Sequence, residues 1–208
     1  MRFYTLWLSL ICIVVFVIQL VIPSSTDTLV LNQASWFEPW RFISSIFLHG
    51  SFSHILYNLF ALVLFGLVLE KLIGSNKFLL VFFSAGIFAN LIAVNFYSSS
   101  LGASGAIMGV IGALTFTKPL MTVWAFSLPM PMFVAAILWI LGDVVGVFAP
   151  SGVGNIAHLI GVFVGLLLGA IFRLRRTSSG YSAGYTRVIK IPDIPESYVR
   201  EWEDRYFN

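Results

Sequence analysis

Four polar side chains interrupt apolar runs at spacings that suit nucleophilic chemistry. Ser104 stands between Gly102 and Gly105 in "LGASGAIMGVIGAL", and His158 stands in "GNIAHLIGVFVGLLLG". His54 and Asn58 occur in "HGSFSHILYNLFAL", four residues apart and so on one face of a helix. A serine becomes a useful nucleophile when a base accepts its proton, and an imidazole within hydrogen-bond reach is such a base. Imidazole and carboxamide N–H groups can in turn donate to an oxyanion. Each residue also has an ordinary role. A lone serine in an apolar helix bonds its own i−4 carbonyl, and a histidine–asparagine pair can clamp one helix to another. Joint placement decides between these readings.

The elements that must place them are apolar helices. Of 208 residues 59% are hydrophobic and 10% charged, and the mean hydropathy is +0.94. That is a membrane protein's composition. A bilayer core of about 30 Å takes about 20 helical residues. Six apolar spans are expected at 4–22, 52–70, 78–97, 102–117, 130–149 and 155–172, the fourth being short. Six crossings put Arg2, Lys71, Lys77, Lys118, Arg173, Arg175 and Arg176 on one side and Arg41 on the other, so both termini are expected in the cytosol. The first span is expected to be retained, because "LVIPSST" offers no small-x-small cleavage site.

Residues 23–51 are expected to form an external loop whose Trp36, Phe37, Trp40, Phe42 and Phe47 sit at headgroup level. Residues 1–175 read as one membrane domain and 176–208 as a cytosolic tail, with a short helix in "PESYVREWEDRYFN". Cys12, the single cysteine, reads as a small apolar filler. No phosphate loop, nucleotide fingerprint or zinc motif is present, so no cofactor, metal or nucleic-acid partner is expected.

The second, fourth and sixth spans run in the same direction, which sets His54, Asn58, Ser104 and His158 at similar depth below the external face. Polar groups inside spans are expensive and mark function. Ala157, Gly161, Gly165 and Gly169 recur every fourth residue, and the fourth span is rich in glycine and alanine. Such stripes let two backbones approach, so the fourth and sixth helices are expected to pack together with His158 turned toward Ser104.

With these residues in view, the sequence resembles the rhomboid intramembrane serine proteases. "GASGA" matches their GxSG motif, "AHLIGVFVG" their AHxxGxxxG and "HGSFSHILYN" their HxxxN helix with an additional upstream histidine. "EPWR" is similar to their Trp-Arg loop element and "GLVLEKLIGS" to the end of their second helix. The resemblance implies an all-α, six-helix bundle in the cell membrane. It also implies an endopeptidase that cuts transmembrane segments near the external face, at a small residue beside helix-weakening sequence. Ser104 is implied as nucleophile and His158 as base. The Ser104 N–H, His54 and Asn58 are implied as oxyanion donors, with His49 assisting. Gly102 and Gly105 are expected to let backbone approach the scissile carbonyl. Gly161, Trp40 and Arg41 are expected in support.

Two positions depart from the family. Met108 stands where many members carry a tyrosine that supports the histidine, and Leu72 stands two after Glu70, where a basic residue is frequent. Asp143, the only acid within the later spans, is the candidate to complete a Ser–His–Asp triad, since a carboxylate inside a span is costly and an acid often orients the base. Against that, it lies about 10 Å from the end of its span and the family works without an acid, so it is expected to face water or bond a neighbouring helix, and Asp143→Asn to keep activity within about tenfold, against about 10⁴ for a true triad acid. The alternatives are a proteolytically silent relative that binds membrane helices, and a transporter with a polar midplane site. The transporter predicts two symmetric halves with interrupted helices, whereas these polar groups cluster near one end.

Overall fold

The computed structural model describes residues 2–149 and 152–182, together with Ser197 and Arg205. Residues Met1–Arg175 make one compact unit. Of the expected tail, 176–208, the short helix in "PESYVREWEDRYFN" lies outside the described residues except for Ser197 and Arg205.

The chain opens with α1 (Tyr4–Val21). The first amides of a helix have no carbonyl behind them. Here Glu70 takes that part, accepting from Tyr4 N at 2.8 Å, Thr5 N at 2.9 Å and Thr5 Oγ1 at 2.8 Å. Cys12 is buried in the core, as expected of a filler. The loop that follows contains α2 (Ser24–Leu29), β1 (Leu31–Asn32), a 3₁₀ turn, α3 (Arg41–Ser44) and a second 3₁₀ turn ending at Phe47. Trp36, Phe37 and Trp40 are exposed, as interfacial aromatics should be. Phe42 and Phe47 are a correction. Phe42 is 7% exposed and meets Trp36 edge-on, while Phe47 is half-buried against Phe83. The loop folds back on the bundle, so these two rings pack inward.

Next, α4 (Phe52–Ala61) continues through a π-helical turn at Leu62–Gly66 into α5 (Leu67–Ile73), making one rod. Gly74, at φ +86°, turns the chain into α6 (Ser75–Ala93). After β2 (Ser99–Ser100) comes α7 (Ser104–Thr117), then the hairpin β3 (Thr122–Ala125) and β4 (Leu128–Pro131), α8 (Met132–Phe148) and α9 (Asn155–Ser182). Among the described residues, four helices are long and apolar enough to cross a membrane: Tyr4–Val21, Phe52–Ile73, Ser75–Ala93 and Asn155–Arg173. Ser104–Thr117 and Met132–Phe148 are apolar but shorter, at 14 and 17 residues.

The core closes around α7, in which every residue from Gly105 to Leu114 is buried. A Cβ on Gly161 would lie 2.0 Å from the Gly105 carbonyl oxygen, and one on Gly165 2.0 Å from that of Gly109. The small-residue stripe of α9 therefore lies against α7, as its spacing requires. On the opposite side, a Cβ on Gly109 would come within 2.1 Å of Ala85 Cβ on α6.

Candidate active site

The beginnings of α4, α7 and α9 meet at a cavity of about 1690 Å³, which Ser104, His158, His54, Asn58, Gly102, Gly105 and Met108 all line. It extends between α4 and α8, past Phe60, Leu64 and Trp139, to Trp124 and Phe126 of the hairpin.

Ser104 is the first residue of α7, and its lead-in is tied to the loop after α1. β2 pairs antiparallel with β1, Leu31 opposite Ser100, and Gly102 N donates to Ser45 O at 2.9 Å. Gly102 holds φ +123°, and a Cβ there would sit 2.8 Å from both Cε1 and Nε2 of His54. Glycine is required on both counts. Gly105 is different. It lines the cavity, yet its missing Cβ faces Ala89 Cβ at 2.9 Å and Ala157 O at 3.4 Å. The room expected for a scissile carbonyl is taken by helix packing at this position.

His158 lies in the first turn of α9, where its N–H donates to Gly154 O at 3.0 Å. Its Nδ1 donates to Asp143 Oδ1 across 2.9 Å, and the two side chains are 16% and 10% exposed. Of the two placements expected for Asp143, water or a neighbouring helix, it takes the second, and its partner there is the candidate base. α8 fits closely here, since a Cβ on Gly146 would come within 2.6 Å of Asn155 Nδ2 and Oδ1.

In α4, Ser51 caps the helix by accepting from His54 N at 3.1 Å. Gly50 N donates to His54 Nδ1 at 3.4 Å, so the proton of a neutral ring is on Nε2, beside Gly102. Asn58 is buried, and its Nδ2 donates to His54 O at 2.9 Å, leaving its second amide hydrogen. These bonds stay within α4 and its lead-in, which is not the geometry of an interhelical clamp.

His49 stands behind this row and outside the cavity lining. Its Nδ1 donates to Phe47 O at 3.2 Å, its backbone N–H donates to Gln19 Oε1 at 2.9 Å, and its ring meets His54 edge-on at 5.2 Å. Burial pushes this imidazole down to about 4, neighbouring His54 pushes the same way, and the bond to Phe47 opposes both. His49 is therefore neutral near pH 7 and placed to brace His54. Trp40 and Arg41 lie in the loop. Arg41, buried, bonds Glu38 and donates to Asp27 O at 2.7 Å and Val30 O at 2.9 Å, while Trp40 Nε1 donates to Thr28 O at 3.3 Å. Gly161 acts by packing, as above.

Sequence reasoning passed over Asn90. Its Nδ2 donates to Phe42 O at 2.9 Å and Ser45 Oγ at 3.0 Å, joining the loop to α6. A carboxamide inside an apolar span was the available signal.

A family model of the rhomboid domain matches residues 36–175. The chain belongs to the rhomboid family. Together with its long apolar helices, this makes the rhomboid chain an integral membrane protein. It is 29% identical over 177 residues to "RHOMBOID-like protein 6, mitochondrial" of Arabidopsis thaliana, an alignment covering 77% of this chain and 57% of that protein. It is 27% identical over 172 residues to "Rhomboid protease GlpG" of Yersinia pseudotuberculosis and to that of Yersinia pestis, covering 79% of this chain and 60% of each. The rhomboid chain thus spans less than two thirds of these relatives' lengths.

Proposed function

We propose that this rhomboid is an intramembrane serine endopeptidase that cuts transmembrane segments of other proteins near the external face. Ser104 is the nucleophile and His158 the general base. The observation that carries the reading is the single cavity lined by Ser104, His158, His54 and Asn58.

In this reading Asp143 occupies His158 Nδ1, so Nε2 is the nitrogen left to face the serine. As Ser104 Oγ bonds the scissile carbonyl carbon, its proton passes to His158 Nε2. The carbonyl oxygen becomes an oxyanion held by the Ser104 N–H at the start of α7, by His54 Nε2–H and by Asn58 Nδ2–H. The C–N bond then breaks, and His158 returns the proton to the leaving amine. Water repeats the sequence on the acyl-enzyme. No cofactor takes part. His49 braces His54, Trp40 and Arg41 hold the loop, and Met108 packs one turn below the nucleophile. Six crossings, with α7 and α8 as the short ones and both termini cytosolic, agree with the Lys and Arg distribution. Substrates are membrane-spanning proteins met within the lipid, and the proposed location is the cell membrane.

The test is cleavage of a single-span reporter by purified protein in lipid vesicles. Ser104→Ala and His158→Ala each abolish it while remaining folded, and their losses do not add. Cleavage by folded Ser104→Ala protein overturns the assignment. A parent that binds the reporter without cutting it is instead a helix-binding relative.

A further inference from the structure

We propose that Asp143 is a positioning residue for His158 in this chain, holding the ring of the base while Ser104 and His158 remain the two groups that meet the substrate. The inference rests on the protease reading and deepens it.

A carboxylate only accepts, so the 2.9 Å contact fixes the proton on His158 Nδ1. That leaves the Nε2 lone pair, the one a base needs, and it offers the imidazolium formed on proton transfer a partner of opposite charge. Both side chains are largely buried, which limits competition from water. The contact is built into the helices. Asp143 and Gly146 lie one turn apart on the same face of α8, and Gly146 seats the Asn155 side chain at the start of α9, three residues before His158. Met108, one turn along from Ser104, offers a thioether with no N–H or O–H to orient a ring. Among the described residues, the bond that orients His158's imidazole is the one to Asp143.

The experiment compares Asp143→Asn and Asp143→Glu with the parent in vesicles, alongside NMR of protein carrying isotopically labelled histidine. Asn keeps the shape and removes the obligate acceptor. Its expected effect is a fall in kcat of about 10²–10⁴ with KM little changed, while Glu recovers part of the rate. The Nδ1–H tautomer of His158 in the parent should disappear in the Asn variant, a signature that a purely structural role does not move. Cleavage by Asp143→Asn within tenfold of the parent overturns the proposal, and so does persistence of the Nδ1–H tautomer. A parent that cuts no reporter overturns the protease reading separately. The tautomer measurement needs no turnover and still decides whether Asp143 sets the ring.

Discussion

The helices that carry Ser104 and Asp143 are held in opposite ways. In α7 every residue from Gly105 to Leu114 is buried, and glycines bring its backbone against α6 and α9. In α8 the buried residues are Met132, Ala135, Ala136 and Asp143, with Val145 65% exposed two residues beyond the acid. The serine thus stands on a wall packed from both sides. Asp143, which meets His158, stands on a wall with few buried residues.

The largest blow to this contrast is Gly161→Leu. Its Cβ would fall 2.0 Å from a backbone carbonyl that cannot step aside, so the variant should lose about 3 kcal/mol or more, or fail to fold. Val145→Ala on α8 should stay within about 0.5 kcal/mol. Thermal unfolding of the two in one detergent checks the pair, and equal losses would erase the distinction.

Asn58, buried on α4, spends one amide hydrogen on its own helix. Asn58→Ala should lower kcat by about 10²–10³ with little change in KM, as a donor used mainly in the transition state does. A fall in melting temperature with full specific activity would make Asn58 a packing residue and sharpen the contrast differently.

A smaller effect is expected from acid. His49 titrates near 4 when folded against an ordinary 6.5, so between those values the unfolded chain binds the proton that the folded chain refuses. Stability fully present above pH 6.5 should decline toward pH 4, by at most about 3 kcal/mol, and then level off. Melting curves across that window should show the slope, and His49→Gln should flatten it.

How much of this was legible in the sequence follows the same division. The α7–α9 contact was legible because a small residue at every fourth position has one geometric meaning. Ser104, His158, His54 and Asn58 stood out because polar atoms in apolar spans cost free energy and recur for a reason. Asp143 was visible for that reason too, but its direction was not. Helix rise gives depth and leaves rotation open, and rotation decides whether a carboxylate meets a ring or a neighbour. Phe42 and Phe47 were misplaced because composition marks aromatics as interfacial without saying which way a loop folds. Gly105 was assigned to the substrate side because "GASG" shows a missing Cβ and not where it would have pointed.

The pairing of β1 with β2, with Gly102 bonded to Ser45 and Asn90 bonded to the same stretch, has a consequence for how the molecule is assembled. The loop leaves the ribosome well before the segment that carries the serine. The Ser104 backbone is thus seated on a surface made from earlier parts of the chain, and it reaches its final path only when that surface exists. On the proposed reading, reactivity arrives late in synthesis, after loop 23–51 has folded.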